Sequence, residues 1–123
     1  MKRILGILLI MLSLSLSIQA QSISYIETTK GWYHIYDQSG KRIKTISSSQ
    51  GELAGYSSNF YIIKLLSGFY VTYDATGKRL HTFSTNSVGE ILNATGNTFT
   101  SRNGSWIYTW SKDGKKISTR YAR

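Results

Sequence analysis

The chain of 123 residues has no cysteine and no proline, only six acidic residues, and two histidines. Without cysteine there are no disulfide staples, no thiolate metal ligands, no thiol nucleophile and no lipid-bearing cysteine. Two separated histidines, with no HxH or HExxH spacing, exclude the common zinc arrangements. There is no GxSxG elbow, and no glycine-rich phosphate loop opens onto a helix. Without proline, no strand edge is blunted by a missing N–H donor. After residue 20 no segment repeats its apolar residues with a helical period, so an all-β fold is expected.

One long apolar run is present, and it lies at the start. "MKRILGILLIMLSLSLSIQA" has Lys2 and Arg3, an apolar stretch from Ile4 to Leu16 diluted by serines, and Ala20. This basic–apolar–small order is that of a secretory signal peptide, with cleavage expected after Ala20 and residues 21–123 forming one β-repeat domain. The stretch is short and serine-rich for a spanning helix, so no stable membrane span is expected after cleavage. The expected location is secreted or periplasmic. Without Lys2 and Arg3 the remainder carries thirteen basic against six acidic residues, net +7. That balance suits an anionic partner, and it also serves solubility.

The remainder repeats itself. "GWYHIYDQSGKRIKTI" (31–46) returns as "GFYVTYDATGKRLHTF" (68–83) and, more loosely, as "SWIYTWSKDGKKISTR" (105–120). Gly40, Gly77 and Gly114 lie 37 residues apart, as do Tyr36, Tyr73 and Trp110. Each copy reads as strand, tight turn, strand, with Asp37 and Asp74 capping their turns and a glycine taking positive φ. Period-two alternation puts Trp32, His34 and Tyr36 on one face, and likewise Phe69, Val71 and Tyr73, then Trp106, Tyr108 and Trp110. This aromatic face is expected to be the core. The opposite face carries Tyr33 and Tyr70, repeat equivalents that are then free to meet a ligand.

Between the hairpins, "GELAGYSSNFYIIKL" (51–65) and "GEILNATGNTFTSR" (89–102) each open on Gly-Glu and supply two further strands. The units fall at about 21–50, 51–87 and 88–123. The first has only "ISYIET" ahead of its hairpin and so lacks one strand. A single continuous antiparallel meander of about eleven strands is expected, open or curled. Its unmatched edge at Ile23–Thr28 calls for pairing with residues 115–121 or with a partner.

Four-stranded units recurring near 40 residues resemble the blades of β-propellers, and the Tyr-Asp-x-x-Gly-Lys hairpin is similar to YD-type repeats of secreted bacterial proteins. The resemblance implies a propeller-blade-like sheet arrangement over nearly all of residues 21–123.

No catalytic constellation emerges. Five of the six acids follow the repeat, and only Glu27 has no counterpart: Asp37 and Asp74 share a turn slot, Asp113 lies in the third turn, and Glu52 and Glu90 are equivalents. Such carboxylates are accounted for by turn chemistry. The expectation is a non-enzymatic protein with no cofactor or metal. Two surfaces remain as binding candidates. One is the basic pair after each turn, Lys41 and Arg42, Lys78 and Arg79, Lys115 and Lys116, which suits phosphates or uronates and equally protects hairpin ends. The other is Tyr33 with Tyr70, which suit sugar rings. The expected partner is a glycan, an anionic cell surface or a protein. The alternative is a structural subunit that completes its sheet by self-association or against a larger surface protein.

Overall fold

In the computed structural model, residues 22–122 are described; the expected signal peptide, residues 1–20, lies outside them. The order is β1 (Ile23–Thr29), β2 (Trp32–Asp37), β3 (Arg42–Ser47), a 3-10 turn (Ser48–Gln50), β4 (Gly51–Tyr56), β5 (Phe60–Leu65), β6 (Phe69–Asp74) and β7 (Arg79–Ser84). A single helical turn α1 (Thr85–Val88) follows, then β8 (Glu90–Thr95), β9 (Thr98–Asn103), β10 (Trp106–Ser111) and β11 (Lys116–Tyr121).

The fold is all-β, built from three antiparallel units of the expected repeat. The meander is not continuous, however. It breaks into three sheets, β1-β2-β3, β4-β5-β6-β7 and β8-β9-β10-β11, none of them closed. The breaks fall at the 3-10 turn and at α1, each followed by a glycine with positive φ, Gly51 and Gly89. A Cβ at Gly51 would run into the Lys64 carbonyl, and one at Gly89 into that of Arg102. Only glycine lets the chain re-enter so close to the neighbouring strand.

Each hairpin turn is built as its sequence dictates. Asp37 Oδ1 accepts from the amides of Ser39 and Lys41 at 2.9 and 3.0 Å. Asp74 repeats this with Thr76 and Lys78. Ser111 takes the slot in the third turn, its hydroxyl accepting from Lys115 N at 3.0 Å, while Asp113 pairs with Lys112. A bulge follows at one register in all three hairpins, leaving Ile43, Leu80 and Ile117 as the extra residue.

The sheets pack face to face, like blades, with one apolar cluster in each seam. The first joins Tyr33, Ile35 and Ile46 of sheet one to Tyr61 and Ile63 of sheet two. The second joins Phe60, Ile62, Tyr70 and Phe83 of sheet two to Phe99 and Trp110 of sheet three. In β5 odd and even residues therefore enter different cores, and Phe60 to Ile63 are all buried.

This arrangement corrects the expected core. The aromatic face is buried only where a preceding sheet covers it. Val71 and Trp110 are buried, but Trp32, Phe69 and Trp106 are nearly half exposed. His34 is on the outer face of sheet one, within hydrogen-bond distance of Thr29 and Thr45, rather than in a core. The two chain ends do not pair either: β1 and β11 belong to different sheets.

Candidate ligand-binding cleft

Tyr33 and Tyr70 are not surface residues. Both are buried, and each phenol donates to the carbonyl of the glycine that opens the next sheet. Tyr33 Oη reaches Gly51 O at 2.9 Å, and Tyr70 Oη reaches Gly89 O at 2.7 Å. Tyr33 Oη also accepts from Leu53 N at 3.2 Å. These tyrosines tie one sheet to the next. A sequence signal for this existed: each precedes a Gly-Glu pair by a similar interval, and position 107, which no Gly-Glu pair follows, holds isoleucine.

The six cations after the turns are exposed, but they do not act as one set. Register places Arg42, Arg79 and Lys116 opposite Tyr36, Tyr73 and Trp110. The Arg42 guanidinium lies 6.0 Å from the Tyr36 ring centre, and Lys116 Nζ lies 4.2 Å from that of Tyr108 and 5.2 Å from that of Trp110. These two are drawn onto aromatic faces. Lys41, Lys78 and Lys115 give their backbone amides to the turn caps. Of the six, Arg79 lines the cleft in the first seam.

That cleft lies in the first seam and measures about 480 Å³, within the roughly 300–1,000 Å³ of small-ligand sites. Lys44 and Arg79 supply two cations, Gln50 an amide, and Tyr61 and Tyr73 two rings; no carboxylate lines it. Tyr61 and Tyr73 stack at 5.1 Å. Lys44 reaches across the next turn and lies against Gly77, where a side chain would collide with its stem. Burial, with smaller contributions from Tyr73 and Asp74, pushes the Tyr61 phenol up to about 12. Lys44, Gln50 and Tyr61 were missed in the sequence because nothing there shows that they share a seam.

Carboxylates collect elsewhere. Glu52 on the edge strand β4 and Glu90 at the start of the edge strand β8 meet Tyr70 and Lys64 around a smaller cleft of about 260 Å³. Burial and then these two glutamates raise the Tyr70 phenol. Asp37 is held below the usual carboxylate range by the Ser39 hydroxyl and the Lys41 amide. For Asp74, burial acts upward but is outweighed by Thr76 and the turn amides, and the net direction is down. Among the described residues no group of three or more metal-ligating side chains converges, and no helix is long and apolar enough to cross a membrane.

No family model and no curated protein matches the chain. Among solved structures it is similar to BamB from Moraxella catarrhalis, at 12% identity and a TM-score of 0.47 over 80% of this chain. The match spans 35% of the BamB chain, so this chain corresponds to about a third of that protein's length.

Proposed function

We propose that this is an exported, non-enzymatic binding protein that holds an acidic glycan in the cleft between its first and second sheets. The observation that carries this reading is the pairing of Lys44 and Arg79 beside tyrosine rings, with no carboxylate in the lining. A uronate ring offers a flat apolar face for Tyr73 and a carboxylate for the cations. The basic balance of the chain draws such a ligand in. Export is supported by the order of residues 1–20. The turn aspartates are engaged by backbone amides, which leaves them poorly placed as acids or bases.

Calorimetric titration with oligogalacturonate and with a neutral oligosaccharide of equal length tests the proposal. Binding of the acidic sugar alone is expected, weakening with salt and lost in Lys44→Ala with Arg79→Ala. Equal binding of both sugars, or acidic-sugar binding untouched by those substitutions, overturns it. Binding only to anionic vesicles would transfer the role to a lipid surface.

A further inference from the structure

Both seams are built in one direction. The face bearing Tyr33, Ile43 and Ile46 in sheet one covers the face bearing Tyr61, Val71 and Tyr73 in sheet two. The face bearing Tyr70, Leu80 and Phe83 in sheet two covers the face bearing Phe99, Tyr108 and Trp110 in sheet three. Among the described residues this leaves two sheet faces without a partner. One is the outer face of sheet one, with Tyr25, Trp32 and Tyr36. The other is the outer face of sheet three, with Ile117 and Arg120 exposed and Ile107 of the same face already buried.

These two faces are the separated halves of one more seam. In the row Gly40, Gly77, Gly114, the last two lie under Lys44 and His81 of the preceding sheet, while nothing lies within 4 Å of a side chain built at Gly40. In the row Ile43, Leu80, Ile117, the first two pack into the seam clusters, while Ile117 is 53% exposed. Sheet one is open where a preceding sheet belongs, and sheet three where a following one belongs.

The chemistry at the two faces also matches. Inside the chain Phe83 packs edge-on against Phe99 and Trp110, with ring centres 5.2 and 5.6 Å away. The corresponding residue of sheet three is Arg120. The residues of sheet one corresponding to Phe99 and Trp110 are Tyr25 and Tyr36, paired across β1 and β2. Arg120 over Tyr25, beside a Tyr36 ring that already carries Arg42, is a favourable substitute for part of the aromatic contact. The interlocking bond is missing from both sides at once. Position 107 is isoleucine where Tyr33 and Tyr70 donate, and sheet one has no glycine-led fourth strand whose carbonyl could accept. Neither side is left with an unpaired polar group.

We propose that a second copy of this chain seats the outer face of its third sheet on the outer face of the first sheet, extending the blade stack head to tail. Such a contact is heterologous, so copies add in one direction and close into a ring when the rotation permits. The proposal does not depend on the cleft ligand. Net positive charge opposes the contact, so it is best measured near 0.15 M salt, where screening acts within about 8 Å.

The test uses protein purified from cells expressing the full chain, with mass followed by sedimentation equilibrium through the micromolar range. A concentration-dependent multiple of the monomer mass is expected. Tyr25→Arg and Arg120→Glu, both at exposed positions, should each weaken association at least about tenfold, the scale of a lost anchor. Both should leave the circular dichroism spectrum unchanged, and also the Tm measured at concentrations too dilute for association. The decisive step is mixing them. The Arg120→Glu variant keeps an intact first sheet and the Tyr25→Arg variant an intact third sheet, so an equimolar mixture regains one seam and forms a heterodimer. A monomer at every concentration, association unchanged in both variants, or a mixture no heavier than its components overturns the proposal.

Discussion

The two seams share one frame and fill it differently. In the second, Phe83 packs edge-on against both Phe99 and Trp110, His81 packs edge-on against Phe83 at 4.6 Å, and Val88 is fully buried. In the first, the same three places hold Ile46, Lys44 and Gln50. A shorter aliphatic chain, a cation and an amide replace two rings and a valine, and a cleft of about 480 Å³ opens where the same part of the second seam is filled. The second seam has its smaller cleft of about 260 Å³ elsewhere, at Lys64, Tyr70 and Glu90. The connectors contribute to the difference. The link before sheet two is a three-residue 3-10 turn, whereas the four-residue α1 reaches inward and delivers Val88. The repeat sets the scaffold, and departures from the repeat mark where a ligand can enter.

The comparison breaks most visibly if the aromatic packing of the second seam is opened. Phe83→Ala should cost about 3–5 kcal/mol, the usual range for an aromatic removed from a core. Ile46→Ala should cost about 2 kcal/mol, the low end for an aliphatic side chain, because its site already borders an opening. Urea denaturation of both variants decides this, and equal losses would mean that the seams are equally packed.

A second measurement asks how dry the first seam is beneath its open mouth. The Tyr61 phenol is raised from 10.0 to about 12 in the folded chain. The unfolded chain therefore loses this proton first as pH rises. Stability from this group is intact below pH 10 and is lost between there and about pH 12, by about 2–3 kcal/mol at most. Urea midpoints across that window should fall in the wild type and fall less in Tyr61→Phe. Identical slopes would place water against Tyr61.

The smallest effect on stability is expected from making the seams alike. Ile46→Phe puts the second seam's ring into the first, with a change under about 1.5 kcal/mol if the cleft accepts it. Acidic-sugar binding should disappear while unfolding remains cooperative. Retained binding would show that the ligand sits elsewhere.

Much of the scaffold was legible in the sequence because turns are local. Asp37 and Asp74 with the following glycines specify their hairpins within five residues, and the short first unit is evident by counting. The faces were harder to read. Alternation shows that a strand has two sides, but in a stack of sheets which side is covered depends on neighbours in space. In sheet two both sides are covered, so Tyr70 and Val71 are both buried. In sheet one the aromatic side, with Trp32, faces outward, and Tyr33 spends its hydroxyl on Gly51. The cleft was less legible still. Lys44 and Arg79 are 35 positions apart, and only the stacking of sheet one on sheet two brings them to one opening.

The double burial of β5 bears on how the molecule opens. Among the described residues the two apolar clusters join successive sheets, so cohesion is distributed as in a short linear array, and the two outer members each have one such seam to lose. Amide hydrogens of β1 to β3 and of β8 to β11 can exchange with solvent when one seam parts. Those of β5, between Phe60 and Ile63, need both seams to part and should exchange last, at a rate set by global unfolding. Strand β5 would then be the slow-exchange core from which the rest of the chain frays in both directions.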